Sequence, residues 1–120
     1  MPRRWLPPTL WAILVVISSS VPLPPINAPP GADKGVHIVL YFVLGLLSGR
    51  ALLRGKTARV WHLLVLVVGL LAFGALDEVH QLWIPGRTAD PTDWAADAAG
   101  SVVGIAASVA FTRASGRRAT

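Results

Sequence analysis

The feature that most constrains this chain is residues 60–76, a stretch that contains no Asp, Glu, Lys or Arg. A helix that crosses a membrane needs about 20 mostly apolar residues, and three further apolar segments accompany this one. Charged residues make up only 14% of the chain, whereas a soluble domain carries about 25%. The sequence therefore predicts an all-α integral membrane protein, and it argues against a water-soluble enzyme and against a disordered chain.

The apolar segments predict one transmembrane domain, residues 1–120, built as a bundle of four membrane-spanning helices. The predicted spans are residues 5–21, 34–53, 60–82 and 93–112. The fourth is rich in Ala, Gly and Ser, which favours a helix packed inside the bundle. A signal peptide is the alternative for the first, because Arg3 and Arg4 precede its apolar core, but no A-x-A cleavage site follows. The proline-rich residues 21–31 predict an extended surface loop.

The charges sort to opposite sides of the four predicted spans. Nine of the eleven basic residues fall on the side that holds both termini, and only Lys34 and Arg87 fall on the other. The positive-inside rule therefore predicts that both termini are cytoplasmic. This placement accounts for the net charge of +5, so membrane lipids are the expected partners and no nucleic acid is needed. All six acidic residues fall toward the outer side.

The second segment opens with a polar stripe. Asp33, His37 and Tyr41 are four residues apart and therefore share one helix face. The alternatives are that Asp33 only caps the helix N-terminus and that His37 donates to a neighbouring carbonyl. Ionisable residues inside a membrane usually face a bundle interior or a cavity. We therefore expect this stripe to face a polar site.

The third segment ends in a second polar group. Asp77, His80 and Gln81 share a face, and Glu78 lies about 100° round the helix from Asp77. These residues come at the outer end of the predicted span, so a merely hydrated helix end is the alternative interpretation. The adjoining Pro85-Gly86 is a turn signal that ends the helix.

Arg87 is the only arginine predicted on the outer side. Its planar guanidinium suits a bidentate contact with a carboxylate or a phosphate. We predict an ion pair with one of the surplus outer carboxylates, Asp90 among them. The alternative is an anion-binding arginine that holds the phosphate of a lipid or substrate.

The fourth segment begins with Asp93, which is a good N-cap residue, with Thr92 as the competing cap. Asp97 shares its face with Gly100 and Gly104, and a small-xxx-small pattern lets another helix approach closely. We expect that approach to press Asp97 into the bundle, beside the polar ends of the second and third segments.

These residues together resemble the VanZ-like family of small bacterial membrane proteins, over roughly residues 10–110. The resemblance is carried by Asp33-Lys34-x-x-His37 with Tyr41, Asp77-Glu78-x-x-Gln81, Pro85-Gly86-Arg87-x-x-Asp90-x-x-Asp93 and Asp97-x-x-Gly100-x-x-x-Gly104. Asp97 stands where the family more often has Asn, which adds a negative charge. The resemblance implies a protein of the bacterial cytoplasmic membrane and cell envelope, and an association with resistance to teicoplanin, a lipidated glycopeptide antibiotic.

Three functional classes stay open. The first is a non-enzymatic envelope factor whose outward polar site binds a lipid-linked or lipidated glycopeptide ligand. The second is a membrane enzyme on a lipid-linked substrate, with His37 or His80 as general acid or base; a metal-assisted form would add Asp77, Asp93 and Asp97 as ligands. The third is a subunit of an oligomeric transporter. A purely structural role for the polar residues is the further alternative.

We therefore predict a ligand-binding polar site and assign no catalytic residue. No H-E-x-x-H motif is present, so no metal and no cofactor are predicted, and the absence of cysteine excludes thiolate chemistry. An oligomer is compatible with the sequence. The predicted site residues are Asp33, His37, Tyr41, Asp77, Glu78, Gln81, Arg87, Asp90, Asp93 and Asp97, with Gly100 and Gly104 for helix packing.

Overall fold

The computed structural model describes residues 2–21, 31–55 and 59–118. A short 3₁₀ helix, Arg3–Trp5, leads into α1, Leu6–Ser20. The other helices are α2, Ala32–Gly55; α3, Val60–Gln81; and α4, Pro91–Arg118. Each predicted apolar segment is helical, so the all-α fold is confirmed. The predicted loop at residues 21–31 lies, except for its two end residues, outside the described residues.

The helices differ in whether they can cross a membrane. By length and composition α2, α3 and α4 are long and apolar enough to cross a membrane. The Cα atoms extend over 54 × 30 × 21 Å, and the longest of these dimensions exceeds the hydrocarbon thickness of a bilayer, about 30 Å. Helix α1 has 15 residues, which is short of the usual length, so its span stays a prediction. Helix α4 runs to Arg118 rather than 112, because hydropathy marks only the apolar part of a helix.

Helices α2 and α4 run parallel and form the most extensive contact between elements. Gly100 and Gly104 face the α2 backbone, and a Cβ atom on either would collide with the carbonyl oxygen of Ile38 or of Phe42. Only a residue without a side chain allows the two backbones to come this close. The close approach predicted from the small-xxx-small pattern is therefore present.

Small residues also line the α2 side of this contact, which the sequence analysis did not identify. A Cβ atom on Gly45 would collide with the backbone of Ser101, and one on Gly49 would collide with the Ser108 side chain. Both serines are almost fully buried. The spacing of Gly45 and Gly49 is again four residues, so the same pattern was readable on α2.

Helices α1 and α3 carry much of the apolar surface of the molecule, although α2 and α4 also expose apolar side chains such as Val39 and Val103. Leu10, Leu64, Val68 and Leu76 are each more than half exposed, while the interior between the helices contains several small and polar side chains. Such a distribution exposes far more apolar surface than water tolerates in a monomeric soluble protein. It is the distribution expected of helices that face lipid.

Candidate functional site

One end of the bundle, called here the polar end, brings together the end of α1, the start of α2, the end of α3 and the start of α4. Four carboxylates are buried there: Asp77, Glu78, Asp93 and Asp97 are 5%, 6%, 7% and 1% exposed. Burying acids without partners is costly, in lipid as in a protein interior. The packing therefore has to supply compensating groups.

His37 lies among three of these carboxylates. Its Nδ1 is 2.7 Å from Asp97 Oδ1 and 4.0 Å from Glu78 Oε1, and its Nε2 is 3.9 Å from Asp93 Oδ2. The Gly100 contact holds α4 against α2 and so sets the short distance. The histidine therefore has a carboxylate partner and donates to no backbone carbonyl among the described residues, where that alternative is wrong.

Lys34 is a basic residue at the polar end that was not among the predicted site residues. Its Nζ lies 3.3 Å from Asp93 Oδ1 and 3.6 Å from both Asp33 Oδ2 and Asp90 Oδ2. It bridges the starts of α2 and α4. Its position three residues before His37 places it on the same helix face, and that spacing was the available signal.

Asp33 is the least integrated of the predicted site residues. Its side chain is 60% exposed, and α2 begins one residue earlier, at Ala32. The alternative role as N-cap is therefore wrong. An acid in the first helical turn still interacts favourably with the helix dipole.

Asp77 joins α1 to α2 and α3. The Ser19 hydroxyl donates to Asp77 Oδ1 at 2.5 Å, and the Tyr41 hydroxyl lies 3.3 Å from Asp77 Oδ2. Tyr41 and Asp77, which were both predicted site residues, therefore contact each other. Ser19 was missed, and its only signal is the run Ser18-Ser19-Ser20 at the end of an apolar helix.

A cavity of about 90 Å³ opens beside Asp77 and is lined also by His37, Gln81 and Arg87. His80, by contrast, pairs with the Ser20 hydroxyl at 2.9 Å and does not line this cavity. The two histidines of the polar end therefore have separate environments, although the sequence analysis offered either as an acid or base.

Arg87 binds backbone rather than carboxylate. Its Nη2 donates to the carbonyl of Ser18 at 2.9 Å and its Nε to the carbonyl of Val21 at 3.2 Å. These carbonyls lie at the C-terminus of α1, where a cation is favoured by the helix dipole. The predicted ion pair is therefore wrong among the described residues, and Arg87 fastens the loop after α3 to the end of α1.

Asp90, and not Asp93 or Thr92, caps α4. Asp90 Oδ1 accepts from the backbone N–H of Thr92 at 2.9 Å and from the Thr92 hydroxyl at 2.7 Å. Pro91 takes the first helical position, which it favours. The Thr92 side-chain and backbone donors hold the pKa of the Asp90 carboxyl below its usual value. The capping prediction for Asp93 is corrected, which leaves that side chain free to face His37 and Lys34.

Three buried polar atoms at the polar end have no hydrogen-bond partner among the described residues: Glu78 Oε1, Gln81 Nε2 and Asp97 Oδ2. The other Glu78 oxygen accepts from the Asp90 N–H at 3.1 Å. His37, Glu78 and Asp97 each offer a donor atom, and these atoms lie within 4.8 Å of one another. The polar end thus has spare acceptors for a cation or for a hydrogen-bond donor.

Comparison with known proteins gives one match. The model of the family described as VanZ/LLP1 matches residues 8–112, which includes every residue of the polar end described above. No curated protein and no solved structure gives a significant match.

Proposed function

Because the chain belongs to the VanZ/LLP1 family, we propose that it is a multi-pass protein of the bacterial cytoplasmic membrane with its polar end facing outward. In this proposal the polar end binds the head group of a lipid-linked or lipidated envelope ligand. Binding changes the access of teicoplanin-type lipoglycopeptides to the cell surface. The resistance role comes from the family resemblance, and the binding role comes from the geometry.

The observation that carries the binding role is the pair of buried carboxylates with unsatisfied oxygens. Glu78 and Asp97 each bury an oxygen without a hydrogen-bond partner among the described residues. An unsatisfied buried acceptor costs about 1–3 kcal/mol, and more if it is charged. A ligand that donates hydrogen bonds or carries positive charge would recover that cost.

A neighbouring apolar groove supports an amphiphilic ligand. A cavity of about 320 Å³ runs beside Glu78 and Asp90 and is lined by Val79, Leu82 and Trp94. Polar and apolar surfaces therefore adjoin at the end of the bundle where a membrane-embedded ligand has its head group. An amphiphile with donors on its head group would contact both.

The test compares susceptibility to teicoplanin and to vancomycin in a sensitive Gram-positive host. We expect the wild-type protein to raise the inhibitory concentration of teicoplanin selectively, and we expect Glu78→Gln and Asp97→Ala to remove this protection. Asp33→Asn is the matched control, since it removes an exposed acid at the same end. Equal membrane levels are verified by immunoblot.

Direct binding of teicoplanin to the protein in nanodiscs separates binding from other effects on the cell. We expect the wild type and Asp33→Asn to bind teicoplanin more tightly than Glu78→Gln and Asp97→Ala do. No protection by the wild type would remove the resistance role, and equal protection by all four proteins would show that the protection does not depend on Glu78 or Asp97. The binding assay would then move to native lipid-linked envelope precursors.

The alternative function is a membrane-embedded enzyme acting on a lipid-linked substrate. It is favoured by the 2.7 Å contact between His37 Nδ1 and Asp97 Oδ1, because a carboxylate orients a histidine that transfers protons. Proteoliposomes carrying bacterial envelope lipids provide the test. An enzyme converts one lipid species over time, and His37→Gln stops the conversion while His80→Gln does not. An unchanged lipid profile with wild-type protein contradicts catalysis.

A further inference from the structure

The geometry points to a site for a divalent transition-metal ion formed by His37, Glu78 and Asp97. The three residues come from α2, α3 and α4, so no single sequence motif contains the set. One donor atom from each lies within 4.8 Å of the others. Ligand atoms at about 2.1 Å from one tetrahedral ion are about 3.4 Å apart, so a closure of up to about 1.4 Å between the most distant pair would complete the set.

The unsatisfied oxygens are the second observation. One Asp97 oxygen is hydrogen-bonded to His37 Nδ1, and one Glu78 oxygen accepts a hydrogen bond from the Asp90 N–H. The other oxygen of each carboxylate is buried and has no hydrogen-bond partner among the described residues. Asp97 is 1% exposed and Glu78 is 6% exposed. An ion between them would occupy both vacant oxygens. His37 Nδ1 would give up its hydrogen bond with Asp97, and release to solvent any proton on that nitrogen, to become the third ligand.

The donor set favours zinc or manganese. One imidazole nitrogen with two carboxylate oxygens suits Zn²⁺ or Mn²⁺, whereas Ca²⁺ and Mg²⁺ prefer oxygen ligands alone. Three protein ligands leave a coordination position for a water molecule or a ligand, as in zinc sites that bind substrates. The neighbouring Asp93 carboxylate lies 3.9 Å from His37 Nε2, which is beyond hydrogen-bond distance but on the side of the imidazole that faces away from Asp97.

A bound ion would change which head groups the polar end accepts. Without a divalent ion, the Glu78 and Asp97 carboxylates repel a phosphate when they are ionised. A divalent ion balances the two charges and provides a Lewis-acidic position for a phosphate or hydroxyl oxygen. This role in ligand selection rests on the proposed function, whereas binding of the ion itself is measured without any ligand.

The experiment measures metal content of the full-length protein in detergent micelles, purified without a polyhistidine tag. The protein is dialysed against Zn²⁺ or Mn²⁺, freed of loose metal, and analysed for metal per chain. We expect one ion per wild-type chain. Glu78→Gln and Asp97→Asn should weaken binding at least tenfold, since each removes an ionised ligand. Asp33→Asn and His80→Gln are the controls, because each alters an acid or a histidine of the polar end outside the set.

A shift of thermal unfolding keeps the test decisive if a variant is less stable. A metal that binds the folded protein raises its Tm, so Zn²⁺ should raise the Tm of the wild type and both controls but not of the two ligand variants. No retained ion, or binding lost equally in the His80→Gln control, overturns the site. Neither assay contains teicoplanin or lipid precursors, so loss of the resistance role would leave this result intact.

Discussion

At the polar end a single residue, Asp97, provides the carboxylate that is hydrogen-bonded to His37. Asp97 is almost fully buried, and it contacts His37 because Gly100, one turn further along α4, fits against the α2 backbone. The sequence predicted the position of Asp97 from the shared helix face. It did not predict the partner, because the rotation of α4 about its axis depends on packing with α2.

Replacing Asp97 tests whether its carboxylate stabilises the fold. Asp97→Ala should lower the free energy of unfolding by about 1–3 kcal/mol, because His37 loses its hydrogen-bond partner inside the bundle. Asp97→Asn should cost less, since its amide oxygen still accepts a hydrogen bond. Denaturant titration in detergent micelles measures both values.

Asp33→Ala is the matched control and should leave the free energy of unfolding nearly unchanged, because the residue is exposed. Buried ionic groups are sometimes retained at a cost to stability. An Asp97→Ala variant more stable than the wild type would contradict the stabilising role and would leave binding as the reason for the carboxylate.

Asp90 gives a pH-dependent prediction. Its pKa is lowered in the folded protein by the Thr92 donors, so the folded state favours the ionised form. The resulting stability is present above the unfolded pKa of about 3.9 and is lost as pH falls through the folded value. We therefore expect Asp90→Asn, which keeps a capping side chain but does not titrate, to lose less stability than the wild type between pH 5 and pH 3.

Hydrogen exchange of the first-turn amides of α4 locates this effect, because the other carboxylates of the polar end titrate over the same range. The wild type should lose protection at Thr92 and Asp93 as pH falls, after correction for intrinsic exchange. The Asp90→Asn variant should lose less. An identical loss in the two proteins would show that the Asp90 cap does not contribute to acid sensitivity.

At the scale of elements, the contact between α2 and α4 determines where the polar side chains meet. Gly104→Ala should destabilise the protein by about 1–3 kcal/mol, because its methyl group would collide with the Phe42 carbonyl oxygen. Gly69→Ala is the matched control, since no atom outside its own helix lies within 4 Å of the added methyl. It should stabilise α3 by up to about 1 kcal/mol. Denaturant titration of both variants gives the comparison, and equal effects would contradict close helix packing.

The elements also show which features a sequence specifies and which it does not. Apolar length places the four helices, and residue spacing places Tyr41 and Asp97 on the faces that converge. The caps of the helices were predicted less accurately than the helices themselves, because a cap depends on local backbone geometry. The overlooked sequence signal for the start of α4 was Asp90 followed by Pro91. Arg87 binds two carbonyls because the loop after α3 packs against the end of α1. Residue spacing along the sequence does not predict that packing.

At the scale of the whole molecule, charge is separated along the bundle. The buried carboxylates lie at the polar end, whereas the other end carries Arg50 and Arg54 of α2 near the end of α4. The guanidinium of Arg50 lies 4.9 Å from the Phe111 ring centre, which connects these two helices. Because the positive-inside rule reads basic residues near helix ends, this separation predicts a single orientation in the membrane.

The absence of native cysteine makes that orientation directly measurable. Thr88→Cys lies in the loop at the polar end, and Ser115→Cys lies near the end of α4; both positions are exposed. In intact cells a membrane-impermeant maleimide should label Thr88→Cys, whereas Ser115→Cys should react only after the membrane is opened. The wild-type protein, which lacks a thiol, is the control for background labelling. Labelling of Ser115→Cys alone in intact cells would invert the topology and place the polar end in the cytoplasm, where it could not intercept a ligand at the cell surface.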